Sequence, residues 1–105
     1  MKKLLLIVLF ISFGLSQHLT EVIETYENGN IKSITSHKET RNRIEKVKEV
    51  KYHENGQKEV KKTFKDGKKD GKWTSWYSNG QKDGEVTFKD GEFDGLYIRW
   101  YENGQ

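Results

Sequence analysis

Asn-Gly stands at 55–56, 79–80 and 103–104, each pair 24 residues after the last, and this recurrence constrains the chain more than any other feature. Other residues repeat in step with it. Phe64, Lys65, Asp66 and Gly67 return as Phe88, Lys89, Asp90 and Gly91. Asp70-Gly71 returns as Asp94-Gly95, and Trp76-Tyr77 as Trp100-Tyr101. Tyr52-His53 holds the same place one unit earlier. A fixed period of this length means stacked copies of one supersecondary unit. The residues that carry the repeat structurally are Asn55, Gly56, Phe64, Gly67, Gly71 and Trp76, with Asn79, Gly80, Phe88, Gly91, Gly95 and Trp100 after them.

An earlier Asn-Gly at 28–29 precedes the second by 27 residues, and the stretch between them has no Asp-Gly. Residues 17–51 therefore read as a diverged first unit or cap, since terminal repeats are atypical. Within it "RNRIEKVKEVKY" spaces Ile44, Val47 and Val50 by three, as a short helix would. Alignment to the later units favours a strand there.

Asn-Gly and Asp-Gly both favour positive φ, which a type I′ hairpin turn demands and which matches the twist of its strands. The sequence predicts one tight Asn-Gly turn and one wider Asp-Gly-x-x-Asp-Gly loop per unit. Strands are expected over 59–65, 72–78, 85–89 and 96–102. The predicted fold class is all-β, an elongated meander of β-hairpin repeats of about 24 residues each. Period-two alternation puts Trp73, Ser75 and Tyr77 on one face, and Tyr97, Arg99 and Tyr101 on its equivalent. The opposite face, with Leu96, Ile98 and Trp100, is the expected core. Trp, Tyr and Arg dominate interface hot spots, so Tyr77, Tyr97, Arg99 and Tyr101 form the candidate interaction face.

Residues 1–16 differ from the rest. Lys2 and Lys3 precede an apolar run over 4–11, and Gly14 and Ser16 lie two apart like the small residues of a cleavage site. This is a signal-peptide pattern, predicted as a leader helix; an uncleaved anchor is the alternative. The expected location is secreted, or periplasmic at the cell envelope. Lys2 and Lys3 leave with such a leader and no acid does, taking 19 basic residues to 17 against 16 acids. The remaining chain is almost neutral, which removes the electrostatic ground for nucleic-acid binding. No cysteine is present, so disulfides and thiolate metal sites are excluded.

Catalytic and metal chemistry find no pattern. Asp66, Asp70, Asp90 and Asp94 recur, but no calcium-loop spacing with a closing Glu surrounds them, and turn formation accounts for each. His18, His37 and His53 lie apart, without zinc spacing. His53 replaces the tyrosine of 77 and 101 and reads as a surface strand residue. No nucleophile and base can be assigned together. No enzyme activity, cofactor or metal is expected.

"WYSNGQ", "FKDGEFDGLY" and "WYENGQ" resemble the MORN repeat family in its bacterial variant. The resemblance covers 52–105 well and 26–51 poorly. It implies an elongated stack of hairpins serving interaction or assembly, with lipid-head-group binding suggested for some members. Some bacterial relatives carry an antitoxin label, which would fit only if the N-terminus is not an export signal. The expected function is an exported, non-enzymatic module that binds another protein or assembles with itself. The alternative is a lipid- or glycan-binding surface, through "KKTFKDGKKDGK" and the aromatic face.

Overall fold

The computed structural model describes residues 3–5, 11–13 and 17–105. These residues form one antiparallel sheet. Its strands are β1 (Lys3–Leu5), β2 (Ile11–Phe13), β3 (Gln17–Thr25), β4 (Ile31–Thr40), β5 (Arg43–Tyr52), β6 (Lys58–Lys65), β7 (Lys68–Lys69), β8 (Gly71–Trp76), β9 (Lys82–Lys89) and β10 (Glu92–Arg99). The order across the sheet is β1-β3-β4-β5-β6-β8-β9-β10, so from β3 onward each strand reverses onto the one before it. β2 pairs with β3, and β7 pairs with β6. The leader helix expected over 1–16 lies largely outside the described residues. The two pieces of that segment that are described, β1 and β2, run beside β3.

The meander of hairpins is as predicted, but the two turn classes exchange roles. Asp66 and Gly67 have φ of 51° and 77°, Asp90 and Gly91 have 51° and 86°, and Lys65 pairs with Lys68 as Lys89 does with Glu92. These are the two-residue type I′ turns. At Asn-Gly only the glycine has positive φ: Gly29, Gly56, Gly80 and Gly104 lie at 90–93°. There the Gly56 amide donates to His53 O (3.0 Å) and His53 N to Gln57 O (2.8 Å), closing a three-residue loop with a glycine bulge. The asparagine selects this form, because its Oδ1 accepts from the amide two residues on, as Asn55 does from Gln57 (3.0 Å).

The wide loop is also corrected. After each type I′ turn the chain returns at once as a strand, and Gly71 and Gly95 lie within it at φ 87° and 96°. Between the β9–β10 pairs Phe88–Phe93 and Val86–Tyr97, β10 spends four residues against two, a bulge that the glycine accommodates.

Residues 43–52 are strand β5, and the spacing by three has a structural cause. Ser36 pairs with Lys48 and His37 with Lys46, so Val47 is an extra residue that interrupts the alternation. β10 begins at Glu92 and ends at Arg99, earlier than the expected 96–102, because the Asn-Gly loop takes Tyr101 onward.

With one layer, both faces meet water. The buried hydrophobic residue is Val50, and no described side chain is fully enclosed. Register decides where apolar side chains meet. One row across the sheet runs Ile23, Ile34, Val50, Lys61, Thr74, Glu85, Ile98. Ile98 therefore lies beside Glu85 rather than an apolar partner, and Leu96 is 70% exposed. The face expected as core from Leu96, Ile98 and Trp100 therefore carries the buried Val50 beside Ile34 at its β4–β5 end, but is polar around Ile98. In the later units apolar packing gathers on the opposite face, where Trp73 meets Phe64 and Phe88 edge-on at 5.4 and 4.9 Å between centroids.

Lysines complete this packing. Lys69 Nζ lies 5.1 Å from the Trp73 centroid and 5.0 Å from that of Phe88, Lys62 lies over Trp73, and Lys46 over Phe64. A lysine stem covers the ring while its ammonium stays in water. A chain with 32% hydrophobic residues thereby shields its aromatics without a second layer.

Candidate interaction surface

Two features run along the sheet with the repeat. The first is a ladder joining each Asn-Gly turn to the next. Asn28 Nδ2 donates to Glu54 O (3.1 Å), Asn55 Nδ2 to Ser78 O (2.7 Å) and Asn79 Nδ2 to Glu102 O (2.9 Å). Beside it, Tyr26 OH donates to Tyr52 O (2.6 Å) and Tyr77 OH to Trp100 O (2.7 Å). His53 takes the same place through Nε2, 2.9 Å from Trp76 O; a carbonyl only accepts, so Nε2 carries the proton. His53 is thus a rung of the ladder rather than a plain surface residue. Residues 26–30 make the same contacts as the later turns, so the diverged first unit stacks as the others do.

Burial raises the pKa of Tyr77, and the neighbouring Asp83 carboxylate raises it further. Burial likewise raises that of Tyr26, with Glu59 and Glu54 adding to it. Both phenols are kept as donors.

The second feature is the open end. The outer edge of β10 pairs with no strand among the described residues. Four large apolar side chains crowd this end: Phe93 (55% exposed), Leu96 (70%), Tyr97 (55%) and Tyr101 (76%). Tyr97 shares a row with Trp73 and Val86, so the aromatic face reaches the edge. Arg99 is held by Asp83 (Nη2–Oδ1 3.1 Å), which also raises its pKa. Tyr77, Arg99, Trp100 and Tyr101 line a shallow depression beside it.

The four candidate residues therefore separate. Tyr97 and Tyr101 are exposed at the edge, and Arg99 is exposed but ion-paired. Tyr77 is half-buried and joins two units. Sequence reasoning missed Phe93 and Leu96 as surface residues and the asparagine side chains as links between units. The exact return of Asn with the repeat was the available signal for the ladder, since a turn alone would accept Asp as well.

Charge on the other face centres on Glu85, which meets Lys82 at 3.1 Å and Lys72 at 3.4 Å. The hydrogen bond from Lys82, with the charge of both lysines, lowers its pKa below the ordinary 4.5. A depressed carboxylate stabilises the fold above its unfolded pKa and loses that contribution as pH falls through its folded value. The urea midpoint is expected to drop as pH is lowered from 5 to 3, about. Glu85→Gln should make that drop shallower. Equal slopes in both proteins would remove Glu85 from the account. The lysines are half-exposed or more, so salt should flatten the difference.

Among the described residues no cluster of His, Asp and Glu could hold a metal ion, and no helix is long and apolar enough to cross a membrane. No curated protein and no solved structure matches the chain. A family model described as a MORN repeat variant matches residues 47–66, 69–90 and 93–105. Those segments take in the ladder's tyrosine and asparagine positions from His53 onward, the Phe64–Trp73–Phe88 cluster and the exposed β10 edge, and cover more than half of the sequence: the chain belongs to the MORN repeat family.

Proposed function

We propose that this protein is exported and acts at the cell envelope as a non-enzymatic module that binds another protein. MORN repeats are generally protein or membrane-lipid interaction modules, and the family is a non-catalytic repeat module. The observation that carries the reading is the open β10 edge with Phe93, Leu96, Tyr97 and Tyr101 exposed along it. An unpaired strand edge offers backbone donors and acceptors, and the aromatic side chains beside it supply the apolar anchors a protein partner needs. Export rests on the basic start, the apolar run and the small residues within 1–16.

The test is retention from envelope extract by the tagged chain. A partner held in high salt by the parent, and lost by the folded Leu96→Ser/Tyr97→Ala/Tyr101→Ala variant, is the expected result. Retention by both would place the contact elsewhere. Fractionation of the untagged protein checks the location; the whole chain in the cytosol would overturn export. A lipid-surface role rests on the lysines over the aromatic cluster, and salt-sensitive vesicle binding that survives the triple substitution would favour it.

A further inference from the structure

Glu49 stands 24 residues before Trp73, in the place where the later units carry the rings of Trp73 and Tyr97. The register supports the equivalence: Ser33 pairs with Lys51 as Val60 does with Ser75 and Gly84 with Arg99. Beside Trp73 the sheet leaves a hollow of about 140 Å³, walled by Val60, Val86 and Tyr97 among others. With no ring at 49, the first unit leaves a cavity of about 420 Å³. Glu24, Lys32, Ser33, Glu49, Lys51 and Glu59 are among the residues that line it. Tyr26 and Tyr52 line it too, tied together by the bond from Tyr26 OH to Tyr52 O. That volume lies in the range of small-molecule sites, and a few convergent polar groups are what orient a ligand in one.

Opposite charges face this cavity without neutralising one another. Among the described residues neither Lys32 nor Lys51 closes an ion pair, and Lys32 lies over the Tyr26 ring instead. Glu49 reaches Lys62 only at 3.8 Å, and Glu59 turns to His53 at 3.6 Å. Ammoniums and carboxylates held apart in one cavity suit a ligand that carries both signs. We infer that the cavity binds a small zwitterion of the size of a free dipeptide, its ammonium on Glu49 and its carboxylate on Lys51 and Lys32. Spacing sets the size. Glu49 and Lys51 lie two apart on β5 and share a face, which puts their Cα atoms about 7 Å apart. Two extended residues span about 7 Å between their charged ends. A free amino acid brings its two charges too close together to meet both side chains, and a longer peptide carries them too far apart. The hydroxyls of Ser33 and Thr35, which pair with Lys51 and Glu49, stand ready for the ligand's peptide group. This site is separate from the β10 edge and does not depend on it.

The experiment titrates the isotope-labelled full chain with the dipeptide Ala-Ala and follows its amide resonances by NMR. Saturable shifts are expected at Ser33, Thr35, Glu49 and Lys51. N-acetyl-Ala-Ala lacks the ammonium and Ala-Ala amide lacks the carboxylate, and each should bind about tenfold more weakly than Ala-Ala, as loss of a charged hydrogen bond implies. Alanine and tetra-alanine should also bind more weakly. Glu49→Gln should weaken Ala-Ala about tenfold and leave N-acetyl-Ala-Ala unchanged, because the lost charge then has nothing to meet. Lys51→Met should do the same for Ala-Ala against its amide. No saturable shift at these four amides would overturn the inference. So would blocked and free dipeptides that bind the parent alike, a comparison that needs no variant to fold. A Glu49→Gln protein with an otherwise unchanged spectrum that binds Ala-Ala as tightly as the parent would overturn it too.

Discussion

Trp73→Ala is expected to lower stability by roughly 2–4 kcal/mol, much of what a small domain possesses. Three losses combine at that position. The indole touches Phe64 and Phe88 on both sides. Its Nε1–H donates to Thr63 O at 2.9 Å, so truncation removes one of two donors to that carbonyl, which keeps the Asp70 amide at 3.1 Å. Lys62 and Lys69 also lose the ring they cover. A two-layer protein could relax into such a hole from above, but this sheet has nothing above. The measurement is a urea unfolding curve beside Phe93→Ala. Phe93 is an aromatic of similar size, yet it is 55% exposed on the edge strand, and its loss should stay within about 0.5 kcal/mol. Equal midpoints for the two variants would mean that the aromatic cluster does not hold the sheet together. Trp73→Phe should fall between them, keeping the ring contacts and losing the donor.

Much of this architecture is legible in the sequence because each unit is specified locally. Turn residues fix where the chain reverses, and the 24-residue period fixes which strands are equivalent. What could not be read has physical causes. Asn and Asp both tolerate positive φ, so composition alone cannot tell a type I′ turn from a three-residue loop. The distinction lies in the asparagine Oδ1 bond to the residue two ahead, and Asp66 and Asp90 take the positive φ instead. Alternation in β10 separates Leu96 and Ile98 from Tyr97 and Arg99 but cannot rank two solvated faces. That ranking comes from cross-strand neighbours: Ile98 falls beside Glu85, and Trp73 falls between Phe64 and Phe88. The spacing of Ile44, Val47 and Val50 imitates a helix because a bulge at Val47 breaks the strand's alternation. Of the candidate face, Tyr97 and Tyr101 were visible as exposed aromatics, whereas the use of Tyr77 as a tie to Trp100 depends on a unit 23 residues away.

The same bulge glycine recurs in two environments, which lets backbone strain be separated from packing. Gly71→Ala should cost roughly 2–3 kcal/mol, in two parts. The first is conformational: φ is 87°, where an L-residue is strained by about 1–2 kcal/mol. The second is steric. A Cβ there would lie 2.8 Å from Thr63 Oγ1, and that hydroxyl donates to Asp70 O across the bulge. Thr63 must turn away and give up the bond, at about 1 kcal/mol. Gly95 holds the equivalent place in the next unit, with φ 96° and no atom within 4 Å of the added carbon. Gly95→Ala should therefore show the conformational part alone, and the difference between the two variants measures the contact with Thr63. Thr63→Ala provides the closing comparison: in its background Gly71→Ala should cost no more than Gly95→Ala does in the parent. If Gly71→Ala and Gly95→Ala shift the urea midpoint equally, Thr63 does not brace the bulge. The type I′ turn and its bulge would then be held by backbone geometry alone, and the threonine that returns as Thr87 in the next unit would be a strand-forming residue only.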